Sequence, residues 1–167
     1  DPVLYPPWLA GVMASSYYTG LSRYNPMAMA ARRRTTAWAD RTAALDYFRD
    51  RGMFAGWRED ALHSYVDHAL NVLPDGSLTL KCPPWMEAQV FGGFPRGLWT
   101  AVQRLACPTV ILYGQHTYRF IPPAVRQAQG LNPRIQARMM PGNHFFMQQM
   151  PDRTSTAMEE WLVTQGY

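Results

Sequence analysis

Residues 107–164 read as strand, helix, strand, helix, and that succession leaves a chain few folds to choose from. Cys107-Pro108 leads into Thr109-Val110-Ile111-Leu112-Tyr113. A continuous apolar, β-branched run of this kind suits a strand buried on both faces of a parallel sheet. Gly114 ends it. Pro122-Pro123 then opens a helix over residues 124–129, closed by Gly130. Residues 134–139 form the next predicted strand, Pro141-Gly142-Asn143-His144 comes after it, and a last helix spans residues 151–164. Its inner side carries Ala157, Met158, Trp161 and Leu162. A βαβα order requires a parallel sheet with helices packed against it.

Residues 1–97 have another rhythm, mostly helical with frequent breaks. Pro2, Pro6 and Pro7 make the start extended and irregular, because proline continues neither a helix interior nor a central strand. Asn25-Pro26 opens a helix over residues 27–38, since proline suits a first turn. Asp40 caps a second, over residues 41–51, which Gly52 ends. A third covers residues 58–72, with Leu62, Tyr65, Val66, Ala69 and Leu70 on one face. Pro74-Asp75-Gly76 is a turn, residues 77–81 a short strand, and residues 84–91 a short helix stopped by Gly92-Gly93.

A chain of 167 residues, 47% hydrophobic and 17% charged, can bury a core of its own and is not disordered. No apolar run reaches the length of a membrane span, and no signal peptide opens the chain, which suggests a cytoplasmic protein. The net charge of +4 comes almost wholly from arginine, scattered apart from Arg32-Arg33-Arg34. That triplet reads as a solvated helix face, and no basic stripe or module for nucleic acid accompanies it. Cys82 and Cys107 each lie beside a proline, outside any Cys-x-x-Cys pair, and read as reduced, semi-buried thiols. His63 and His68, five apart on one helix, are about 140° apart around its axis and cannot form an i, i+4 zinc pair. A contact between His63 and Asp67 is the simpler expectation. No glycine-rich phosphate loop is present, so neither metal nor cofactor is expected. Trp38, Trp57, Trp85 and Trp99, with Met27, Met29 and Met86, are expected in an apolar core beside or around a pocket.

CPTVILYGQHTY and ARMMPGNHFFMQQMPD together resemble the C-terminal end of an α/β-hydrolase. In that family the penultimate strand reads like the first stretch, and the last strand leads into a loop carrying the catalytic histidine. DPVLYPP resembles the exit of the family's sixth strand, followed by a helical cap. The resemblance implies an α/β fold: a strand end and helical cap over residues 1–97, then a β-α-β-α part of a mostly parallel sheet over residues 98–167. It implies His144 as general base. In ligand clefts of open α/β sheets, functional residues sit at the carboxyl ends of strands. The base takes a proton from an attacking serine, while a carboxylate fixes its tautomer. Residues 115–120, where many members carry that acid, hold no Asp or Glu. Some members place it after the sixth strand, and Asp1 stands there.

No pair of glycines brackets a serine as G-x-S-x-G, and Ser15-Ser16 is a poor substitute for that elbow. By resemblance the nucleophile and oxyanion hole precede Asp1; serine is favoured, with aspartate as in dehalogenase-like members the alternative. The first residue is not Met, and the chain is expected to be a fragment or processed product. The expected function is the C-terminal portion of a serine-type hydrolase for an apolar, ester-like small molecule, inactive without the N-terminal half of the fold. Two alternatives stand beside it: a non-catalytic binding module of the same fold, and one half of a split protein, whose open sheet edge would need a partner.

Overall fold

A computed structural model describes residues 4–93 and 96–166, which divide into two units: residues 4–10 with 96–166, and residues 11–93. The chain enters through α1 (Pro7–Tyr18), which begins where extended chain was expected. Pro7 is the reason, since at the first helical position its missing N–H costs nothing.

Within residues 11–94, α2 (Pro26–Arg32) starts as the sequence indicates, with the Asn25 side chain accepting from Met27 N at 2.9 Å. It stops early, because residues 37–38 pair instead as β1 (Ala37–Trp38). Asp40 caps α3 (Arg41–Phe48), accepting from Ala43 N at 2.8 Å. The next helix, α4 (Glu59–Ala69), gives way to β2 (Leu70–Val72), which was expected to be helical. The Pro74-Asp75-Gly76 turn returns the chain as β3 (Leu78–Leu80). Strands β1 and β2 flank β3, both antiparallel. Pairing across the sheet overrides the helical pattern of residues 70–72. Then α5 (Pro84–Gly92) packs on α2 through Ala28, Ala31 and Ala88, small residues that let the helices approach closely.

The core of this unit is aromatic. Phe48 is buried against Trp38, Phe54 and Tyr65, with ring centroids 4.7–5.2 Å apart, and Leu62, Val66 and Leu78 fill the space around them. Trp38 and Trp57 thus belong to core packing, as expected. Trp85, Met86 and Met27 do not: they are exposed. Trp99 lies in the other unit. The arginine triplet is not wholly solvated, since Arg34 reaches Glu87 at 2.7 Å and Tyr65 Oη at 3.1 Å. Both cysteines are exposed rather than semi-buried.

The second unit contains the predicted βαβα order. After α6 (Leu98–Arg104) come β4 (Thr109–His116), α7 (Ile121–Leu131), β5 (Ile135–Asn143), α8 (Phe146–Gln149) and α9 (Pro151–Thr164). Strands β4 and β5 are parallel, in register from Thr109↔Ile135 to Gly114↔Met140. Side chains alternate across the pair. Ile111 and Ile135 meet Val102 of α6 and Ala128 of α7, whereas Leu112 and Met140 meet Phe146 of α8 and Ala157 of α9. Helices therefore cover both faces. Residues 109–113 are half-buried rather than buried, because among the described residues this sheet has two strands and each has one neighbour. Asn132 is buried between α7 and β5. Its amide donates to the carbonyls of Val102 and Leu105 at 2.9 Å each and accepts from Arg134 N at 3.0 Å. No helix among the described residues is long and apolar enough to cross a membrane.

Candidate active site

The carboxyl ends of β4 and β5 bring the candidate residues together. After Gly114↔Met140 the register shifts, and the next pair is His116↔Asn143, so β5 holds one residue more than β4 there. Such a bulge bends a strand end and re-aims the side chains beyond it. Two glycines make this possible. A Cβ on Gly114 would lie 1.9 Å from the Asn143 carbonyl oxygen. Gly142 has φ 101°, and a Cβ there would meet Gln149 Oε1 at 2.6 Å. The loop then closes on itself: Asn143 N donates to Gln149 Oε1 at 3.0 Å, and Phe145 N to Asn143 Oδ1 at 2.7 Å.

His144 stands on this loop, half-buried. Its Nδ1 is 2.8 Å from Thr117 Oγ1, across the ends of the two strands. The Tyr118 ring meets it edge-on at 4.8 Å and the Phe145 ring at 5.2 Å. Tyr118 stacks on Phe120 at 5.7 Å, and Tyr5 packs on Phe120 at 5.3 Å. Trp99 Nε1 fixes that entering segment by donating to the Tyr5 carbonyl at 2.9 Å. Burial lowers the His144 pKa from its ordinary value, because a desolvated imidazole resists charging. The ring also borders a pocket of about 350 Å³ whose walls include Leu4, Ile111, Ile121, Val125 and Met147. A neutral imidazole in such a place can accept a proton, and the walls favour an apolar group beside it.

Asp1 lies outside the described residues. His116 is exposed at the end of β4. His63 and Asp67 share Arg41, at 3.0 Å and 2.7 Å; Arg41 first, and His63 with it, hold the Asp67 carboxyl below its ordinary pKa, and His63 Nε2 also lies 3.3 Å from Glu59. Among the described residues no group of three His, Cys, Asp or Glu is arranged to hold a metal ion. Thr117 is the residue that sequence reasoning missed. Its signal was position alone: it sits in the stretch searched for a carboxylate.

No protein-family model matches the chain, and no curated protein matches it. Solved structures do. The crystal structure of E-2-(acetamidomethylene)succinate hydrolase superposes on 89% of this chain and 52% of its own, with TM-score 0.66 and 19% identity. A peroxisomal α/β-hydrolase from Saccharomyces cerevisiae superposes on 84% of this chain and 41% of its own, with TM-score 0.61 and 16% identity. The chain thus spans about half the length of the structures it matches. At these identities the likeness concerns the fold, and the fold this chain shares is that of the α/β-hydrolases.

Proposed function

We propose that the chain is the C-terminal portion of a serine-type α/β-hydrolase acting on an ester or related carbonyl compound. The observation that carries this is His144. It is a half-buried imidazole on the loop after the second parallel strand, hydrogen-bonded through Nδ1 and bordering an apolar pocket. In this reading its Nε2 removes the proton of a serine supplied from outside these residues, and Asp1 provides the carboxylate that stabilises the imidazolium. The oxyanion hole and nucleophile elbow come with that serine, so the chain alone does not turn over. Residues 1–97 act as strand end and cap, and residues 98–167 as part of the core. The pocket walls support an apolar acyl or alcohol group. Two exposed free thiols support a reducing compartment such as the cytoplasm.

The test is hydrolysis of p-nitrophenyl esters of graded acyl length by the longest protein that contains this chain, with and without His144→Ala. Loss of turnover by about 10³-fold or more supports the base. Turnover that survives the substitution ends the hydrolytic reading. The absence of Asp and Glu from residues 115–120 favours a second reading: a binding module that kept the fold without the chemistry. That reading predicts saturable binding of apolar esters with no hydrolysis in either protein. A split-protein half would instead self-associate on sedimentation until its complement is added.

A further inference from the structure

We infer that Thr117 is a positioning residue for His144: its hydroxyl accepts the Nδ1 proton and leaves Nε2 as the basic nitrogen of the ring. This assignment rests on the reading of His144 as a base and names the group that sets its tautomer.

The two residues meet because of topology. His116 and Asn143 are partners in the parallel pair, so the next residue on each strand, Thr117 and His144, leaves the sheet at the same level. The turn that Thr117 N makes to the Gly114 carbonyl, 3.2 Å away, holds Thr117 in place. The closed loop of Asn143 and Gln149 holds His144. Their side chains then meet at 2.8 Å, a short contact for a hydroxyl and a ring nitrogen.

A neutral imidazole has one N–H and one lone pair, and the partner of one nitrogen decides which the other presents. A carboxylate can only accept, so it dictates the tautomer. A hydroxyl both donates and accepts. One feature lets Thr117 act as the acceptor, and the reading of His144 as a base requires it. Its side chain is only half-buried, so its own proton can be given to solvent while its lone pair faces Nδ1. A base that works through Nε2 also needs the proton on Nδ1. The hydroxyl orients the ring but brings no charge. Stabilising the imidazolium is therefore left to a carboxylate such as Asp1. Fixing the tautomer and supplying the charge, which one acid often combines, are here divided between two residues.

The test is the imidazole ¹⁵N spectrum of His144 in the longest protein that contains this chain, above the pH at which the ring titrates. The wild-type chain should show a protonated Nδ1 and an unprotonated Nε2. Thr117→Val should move both resonances toward the Nε2–H form that free imidazole prefers. Thr117→Ser should restore the wild-type pattern, which a merely structural methyl would not do. Asp1→Asn should leave the pattern unchanged. A wild-type ring already protonated on Nε2, or a Val variant with the wild-type pattern, overturns the assignment. If Thr117→Val fails to fold, the wild-type and Thr117→Ser spectra still decide, because a donating hydroxyl puts the proton on Nε2 in both. The spectrum does not depend on ester turnover. Failure of the hydrolase reading would thus show in the ester assay with the tautomer intact, and failure of Thr117 would show here.

Discussion

Gly114 and the Asn143 carbonyl are in such close approach that a single methyl group cannot enter between them: the added Cβ would sit 1.9 Å from that oxygen. Strands β4 and β5 meet there just before His144. Gly114→Ala must push the strand ends apart, an overpacking that costs roughly 1–3 kcal/mol. Urea denaturation should show that loss. The His144 ring resonances should shift as well, since its loop hangs from Asn143. A variant with wild-type stability would mean that the close approach is not kept in solution.

The lowered pKa of His144 predicts how stability varies with pH. In the unfolded chain the ring protonates near its ordinary value of about 6.5. In the folded chain burial delays that step to lower pH. Between the two values the unfolded state binds more protons, so stability falls as pH falls through this window and levels off below it. A His144→Gln variant should lose less stability between neutral pH and pH 5 than the wild type. Equal slopes would show that the imidazole is solvated.

Arg34 predicts which ion pair matters. Its guanidinium binds both oxygens of Glu87 at 2.8 and 2.7 Å, with both side chains about three-quarters buried. Glu87→Gln should cost about 1–3 kcal/mol, because it leaves a part-buried charge without its counterion. Arg138 and Glu160 also approach at 2.7 Å, but both are half exposed. Glu160→Gln should change little. Thermal melts of the two variants compare them directly, and equal shifts would contradict the ranking.

Asn132, 4% exposed, makes three side-chain hydrogen bonds, and the two it donates cannot be made by an ionised isosteric acid. Asn132→Asp turns two donors into one oxygen facing the carbonyls of Val102 and Leu105. About 3 kcal/mol or more should be lost, from two unsatisfied carbonyls and a buried charge. Denaturant midpoints measure it. Because a protonated acid can still donate once, part of the loss should be recovered at low pH.

How far the fold could be read from sequence depended on how local each signal is. Asp40, Asn25-Pro26 and Pro151 mark helix starts through bonds or ring geometry within a few residues, and those starts lie where they were expected. The end of β5 did not. Pro141-Gly142 reads as a turn, yet pairing with β4 carries the strand through it to Asn143 by means of a bulge. Residues 70–72 likewise continue a helical face but are claimed by β3. At the site, His144 could be found because it follows a predicted strand end in a stretch that resembles the histidine loop of the α/β-hydrolases. Thr117 could not. A hydroxyl in a loop is common, and only the register of two strands brings it to a ring 27 positions away in the chain.

Asn132 is followed by Pro133, and Asn25 by Pro26. Spontaneous deamidation begins when the next residue's backbone nitrogen attacks the side-chain amide, and proline has no N–H to form that ring. Asn132, tying α6 to β5, and Asn25, capping α2, are therefore protected from this route of chemical ageing. Asn71 and Asn143 have no such guard. Over long storage the chain should accumulate isoaspartate at those positions while the tie at Asn132 endures.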